Sequence, residues 1–258
     1  MGSLYRFLPA ARIFIGVSTL VFGVQHLVYG QMVTRLIPKL PAWMPQPSIW
    51  AYLAGVLLIA GGAIMIFRHD LLRPVATVIS LGCLLSFVAL YVPMLLQTAL
   101  LSGVWTAAGK ALAFAGSCFL LAHTQSEWKS GGLLSRLLPP VSLSQLLIGA
   151  FLFVGGVQHF MYPGFVATLV PSWIPGSLFW TYFAGVALIA AGVGVNLPFT
   201  ARLAGLLTAA MIFTWVLVLH IPRALATPQE ANETTAVFEA LAFSAGAFLI
   251  ALTARRDD

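Results

Sequence analysis

The chain has 258 residues, of which 60% are hydrophobic and only 8% charged, with a mean hydropathy of +0.97. A soluble domain carries roughly 25% charged residues, so this composition excludes an ordinary water-soluble globule and implies a surface facing hydrocarbon. The net charge of +6 comes from Lys and Arg scattered in ones and twos between apolar stretches, which argues against a nucleic-acid partner and leaves the charge to be read as membrane topology.

A bilayer core of about 30 Å needs about 20 apolar residues per helix. Windows of that kind fall at 13–30, 49–67, 74–97, 106–123, 144–161, 178–196, 203–221 and 236–253. The first follows a basic amino terminus and resembles a secretory leader, but it is long enough to span and has no small-x-small cleavage site, so it reads as a retained helix. The apolar residues come in continuous runs rather than alternating, which predicts helices and not a membrane barrel. Prolines punctuate the breaks, with Pro38, Pro41, Pro45 and Pro47 after the first window, Pro139 and Pro140 at mid-chain, and Pro171 and Pro175 after the fifth. Cys83 and Cys118 lie inside apolar windows without CxxC spacing and read as small buried thiols.

The chain repeats itself. GVQHLVYG at 23–30 returns as GVQHFMYP at 156–163, WAYLAGVLLIAGG at 50–62 as WTYFAGVALIAAG at 180–192, and ALAFAGSCFLLA at 111–122 as ALAFSAGAFLIA at 240–251. Repeat structure of this kind predicts a duplicated four-helix bundle: a first unit at 1–125, a cytoplasmic linker at 126–142 and a second unit at 143–258. An even number of helices per unit makes both copies enter the membrane in the same sense, with a pseudo-twofold axis along the membrane normal. Arg6, Arg12, Arg68, Arg73, Lys129, Arg136, Arg202, Arg255 and Arg256 fall on one side; Arg35, Lys39 and Arg223 fall on the other, and Lys110 lies within a helix. That bias places both termini in the cytoplasm and, for a bacterial source, the protein in the plasma (inner) membrane.

The unusual polar residues then gather in the outer half. His26 and His159 lie roughly 20 Å from the cytoplasmic end at about 1.5 Å per residue; each follows a glutamine, Gln25 or Gln158, and precedes a tyrosine by three, Tyr29 or Tyr162. Positions i and i+3 share a helix face, so each copy offers an imidazole with a phenol one turn outward. Ionisable residues inside a membrane helix are candidates for ligand binding or proton transfer, although a neutral histidine bonded to a neighbouring helix explains them as well. If the first helices of the two units met at the axis, His26 and His159 could face one another as metal ligands, but two histidines are too few to predict a metal, and haem is not expected.

Lys110 and Glu239 occupy the same place in the repeat and could pair across the axis, bind substrate or pass a proton. His220 in LHIPRAL likewise corresponds to Tyr91 in LYVPMLL. Trp43, Trp50, Trp173 and Trp180 fall at the outer interface with Tyr52 and Tyr182. Interfacial anchoring accounts for them; the functional alternative is an aromatic lid over a flat apolar ligand such as a quinone. No phosphate loop, Ser-His-Asp set or HExxH motif is present, so ATP-driven and hydrolytic chemistry have no support.

The GVQH, L(I/V)P…W(M/I)P, W-x-Y-x-AGV-x-LIA and ALAF elements resemble those of the DoxX-like membrane proteins, across two tandem units at roughly 10–123 and 143–253. The resemblance implies a four-helix unit and points to two functions: a membrane oxidoreductase subunit handling a quinone, or assembly of other membrane proteins. Most relatives are single units, so the fused pair departs from the family's simple pattern. The sequence therefore leaves three readings open. One is a redox-linked protein binding a quinone-like ligand between its halves, with a redox partner. The second is a non-enzymatic assembly factor or lipid-binding module with a client membrane protein. The third is a small-solute carrier using the Lys110/Glu239 pair. Whether it is an enzyme is undecided at this level, and its only assured partner is the lipid bilayer.

Overall fold

The computed structural model describes residues 4–33, 35–41, 43–125 and 137–254, and among these every regular element is helical. Most of the linker, with Lys129 and Arg136, and the terminal Arg255 and Arg256 lie outside the described residues. Eight helices are long and apolar enough to cross a bilayer: α1 (Tyr5–Tyr29), α2 (Pro47–Phe67), α3 (His69–Leu95), α4 (Gly103–His123), α5 (Val141–Met161), α6 (Ser177–Gly194), α7 (Ala201–Ala226) and α8 (Ala231–Thr253). The chain is a multi-pass membrane protein. Several helices start earlier than their apolar windows, because polar residues such as Arg12 in α1 and Asn232, Glu233 and Thr235 in α8 continue the helix beyond the hydrocarbon.

Local chemistry sets the ends. Gly30 closes α1 in the left-handed conformation at φ 60°, which glycine adopts without the Cβ clash that other residues meet. Pro47 opens α2, where its missing N–H would have had no helical acceptor. In α3 and α7 the prolines fall mid-helix. Pro93 and Pro222 cannot donate to the carbonyls four residues back, and each helix widens into a five-residue π-turn just before its proline, at Phe87–Tyr91 and Val216–His220.

The packing order is a ring with two helices at its centre. Helix α4 is buried over most of its length, as is α8, whereas less than two-fifths of any other span is buried. The two central helices pack on each other; α1 packs on α2 and α8, α5 on α6 and α4, α3 on α4, and α7 on α8. The first helix of each half therefore leans on the last helix of the other half, and one core runs through both: Phe22, Phe114, Ile148, Leu152, Phe243 and Leu249 belong to a single buried cluster.

Lipid tails are as apolar as leucine, so membrane helices associate through close packing rather than through escape from water. Glycines permit it here. Gly16 and Gly23 of α1 lie against Gly62 and Gly55 of α2, so closely that a Cβ on Gly23 would stand 2.6 Å from the Gly55 carbonyl and one on Gly62 2.6 Å from that of Gly16. The α5/α6 crossing repeats the device, with Gly156 against the Gly185 carbonyl at 2.8 Å and Gly192 against that of Gly149 at 2.7 Å. At the α4/α8 crossing Ser117 sits directly over Gly246.

Gly62→Val forces α1 and α2 apart and should cost about 1–3 kcal/mol. Gly82→Ala, whose added Cβ meets nothing within 4 Å, should leave stability unchanged or slightly raised. Chemical unfolding in detergent micelles measures both, and equal effects would contradict the glycine seam.

Candidate functional site

The centre of the site is a buried carboxylate. Glu239, on α8, is 3% exposed and its Oε2 accepts from Lys110 Nζ of α4 at 2.8 Å. The same oxygen accepts from Arg35, at 3.0 Å from Nη2 and 3.1 Å from Nε. Arg35 comes from the connection between α1 and α2, whose apolar residues Val33 and Leu36 are buried beside it. Its guanidinium is thereby drawn inward, and two cations meet on one oxygen. The other, Glu239 Oε1, is buried without a hydrogen-bond partner among the described residues.

Beside this cluster lies a cavity of about 440 Å³. Thr106 and Lys110 of α4, Phe151, Gly155, Gln158 and His159 of α5, Trp215 and His220 of α7, and Glu239 and Phe243 of α8 form its walls. Arg35 closes one side. The cavity reaches the surface at Tyr162 and Phe165, around the one-turn helix Pro163–Ala167, where both side chains are substantially exposed. Aromatic and aliphatic walls with a few convergent polar groups are the usual make-up of a small-molecule site, at volumes of roughly 300–1,000 Å³.

The lining histidines differ in how they are held. His159 Nδ1 lies 2.7 Å from the Gly155 carbonyl one turn back, which makes that nitrogen the donor and turns Nε2 toward other partners. His220 ends the π-turn of α7, where the widened helix presents the imidazole to the cavity. Gln158 is fixed by three bonds to the start of α4: its Nε2 donates to the carbonyls of Leu101 at 2.9 Å and Ser102 at 3.1 Å, and its Oε1 accepts from Thr106 at 2.7 Å.

The corresponding residues of the first half do not line the cavity. His26 is 1% exposed, with Nδ1 2.7 Å from the Phe22 carbonyl and the Val33 N–H 3.5 Å from Nε2. Gln25 Nε2 donates to the Ala231 carbonyl at 3.2 Å, and its Oε1 accepts from Thr235 at 3.0 Å. Tyr91 is 1% exposed with no partner for its hydroxyl among the described residues, and Tyr29 is exposed.

The helices at the centre are α4 and α8, not the first helices of the two halves, so His26 and His159 do not form a facing pair. The described residues contain no group of three His, Cys, Asp or Glu side chains able to hold a metal. Trp43 and Trp173 are 78% and 70% exposed, and none of Trp43, Trp50, Trp173 and Trp180 lines the cavity. Tyr162, Phe165, Val166 and Leu169 line the cavity instead.

Sequence reasoning missed Arg35, Gly155 and Trp215. For Arg35 a signal existed: it is one of few cations on the side that the positive-inside bias disfavours.

Residues 148–255, nearly all of α5–α8, match a family model described as a domain of unknown function, DUF8561. No curated protein and no solved structure matches the chain.

Glu239→Leu strands both Lys110 and Arg35 and should cost about 3–5 kcal/mol, as losing one partner of a buried ion pair does. Lys110→Met leaves Arg35 on the carboxylate and should cost less. The double variant should cost less than the sum of the two, a coupling that a double-mutant cycle of unfolding in detergent would measure; strict additivity would show that the pair is not coupled.

Proposed function

We propose that this protein binds a small, flat, largely apolar ligand of the quinone class in the cavity between α4, α5, α7 and α8, and that it serves a redox-linked role in the membrane. The observation that carries the reading is the cavity itself: about 440 Å³ among aromatic walls, ending on Lys110, Arg35 and Glu239. Phe151 and Phe243, which pack on each other with centroids 4.9 Å apart, and Trp215 would form the aromatic wall for a ring whose polar oxygens face the charged end. The unpartnered Glu239 Oε1 and the Nε2 atom of His159 are the groups a polar ligand would complete.

A bound quinone supplies two-electron, two-proton redox capacity, with the electrons coming from a redox partner protein. The chain's own contribution is to hold the ring, exclude water from its faces and offer protons. His159 and His220 are the lining side chains able to hydrogen-bond a ligand oxygen, while Lys110 and Arg35 favour negative charge on it.

The wider reading takes the chain as a duplicated four-helix unit of DoxX-like type with a pseudo-twofold axis along the membrane normal. Matched contacts support it. Gln25–Thr235 corresponds to Gln158–Thr106, the pair Ser80/Ala115 occupies the place of Ala209/Ser244 with the bond running the opposite way, from Ser80 Oγ to the Ala115 carbonyl and from Ser244 Oγ to the Ala209 carbonyl, and the two π-turns occupy the same place in the repeat. The positive-inside bias puts both termini in the cytoplasm of a plasma membrane and the cavity toward the outer face. A reporter fused near Ser102, between α3 and α4, should be found outside; a cytoplasmic signal would reverse the assignment.

Titration of the detergent-purified protein with a short-chain ubiquinone, followed by quenching of tryptophan emission, tests the ligand. Saturable binding is expected, weakened about tenfold in the His159→Ala/His220→Ala variant and unchanged in His26→Ala, whose imidazole lies outside the cavity. Binding that ignores both cavity histidines would contradict the proposal.

A further inference from the structure

The first half holds a buried phenylalanine at a position where the cavity wall has a glycine, as the repeat shows. Phe22-Gly23-Val24-Gln25-His26 of α1 corresponds to Gly155-Gly156-Val157-Gln158-His159 of α5, so Gly155 stands where the first half has Phe22. Phe22 is 2% exposed and its ring meets Phe114 edge-on, with centroids 5.6 Å apart at 68°. Phe114 corresponds in turn to Phe243, which lines the cavity. Around Phe22 the other matching positions are closed as well: Val33, Leu36 and Tyr91, the counterparts of Val166, Leu169 and His220, are all buried. At Gly155 an added Cβ would meet nothing within 4 Å. Within one chain, the same surroundings hold an aromatic side chain in one half and a void in the other.

The charges around the void are unequal. Its lining contains two cations, Lys110 and Arg35, and a single carboxylate, Glu239. The neighbouring Arg223 is already matched by Glu233 through two bonds, at 3.0 Å and 2.6 Å, so it supplies no compensation. Lys110 spends one of its ammonium protons on Glu239, and the Nη1 group of Arg35 makes no bond to the carboxylate. The lining thus carries a net positive charge, with the Arg35 side chain 30% exposed, and an anion would neutralise it through donors of Lys110 and Arg35 that are unbonded among the described residues.

We infer that Gly155 is the specificity-determining position of the cavity and that the ligand is an aryl anion, its ring standing where the Phe22 ring stands in the first half and its charged group on Lys110 and Arg35. This rests on the cavity being a ligand site and goes further by fixing the ligand's charge and the residue that admits its ring.

Two probes of nearly equal shape separate the two claims: neutral 1,4-naphthoquinone and 2-hydroxy-1,4-naphthoquinone, which is an anion at neutral pH. Calorimetric titration of the full-length protein in detergent should show the anion binding at least about tenfold tighter, the advantage of a charge-assisted hydrogen bond. Arg35→Gln should weaken the anionic probe more than the neutral one and so shrink that preference. Gly155→Phe should abolish binding of both probes while thermal stability holds or rises, because the new ring fills a void; Gly155→Leu provides the same test should the larger side chain prevent folding. Equal affinity for the two probes would overturn the anion assignment and leave the ligand-site reading standing. Binding that survives both Gly155 variants would overturn the role of Gly155, and failure of both probes to bind the parent protein would overturn the inference together with the proposed function.

Discussion

The pairing of Lys110 with Glu239 at the crossing of α4 and α8 is the constraint around which the molecule is arranged. A charge within a bilayer is costly unless it is matched, and here one carboxylate is met by two cations in a place with little water to share the task. Both central helices must hold their register for the 2.8 Å contact to exist, and the connection after α1 must fold inward for Arg35 to reach the same oxygen. The ion cluster thus ties together α4, α8 and the α1–α2 connection, and in doing so fixes the charged end of the adjoining cavity.

Around that pair the two halves are interlocked rather than set side by side. Helix α1 leans on α8 and α5 on α4, while glycine seams at α1/α2 and α5/α6 bring backbones into contact where side chains alone would offer little net attraction in lipid. Where corresponding positions keep the same chemistry they serve structure, as Gln25 and Gln158 do in tying α1 to the start of α8 and α5 to the start of α4. Where the copies diverge, at Phe22/Gly155, Tyr91/His220 and Lys110/Glu239, the difference opens and charges a single cavity.

Much of this was legible in the sequence. Eight spans follow from apolar runs of bilayer length; their ends differ where polar residues prolong a helix, as in α1 and α8, and where a window overran it, as at 74–97 and 178–196. The repeat put Lys110 and Glu239 at equivalent positions, from which their meeting on facing helices could be anticipated. What the pattern could not convey was which helices lie at the centre: the histidine motif drew attention to α1 and α5, but the core belongs to α4 and α8, so His159 lines the cavity while His26 is sealed in protein. Trp43, Trp50, Trp173 and Trp180 are conspicuous in the chain, yet none of them lines the cavity. Gly155 went unnoticed because a void leaves no motif; only comparison with Phe22 and the three-dimensional surroundings gives it meaning.

The most direct test of the central claim, that the cavity beside the Glu239 cluster holds a flat aromatic ligand, is to purify the protein from native membranes in mild detergent and analyse the organic extract by mass spectrometry. The account predicts an aromatic, redox-active compound retained at close to one molecule per chain. An extract containing only bulk phospholipid, from protein that also takes up no added quinone, would contradict it.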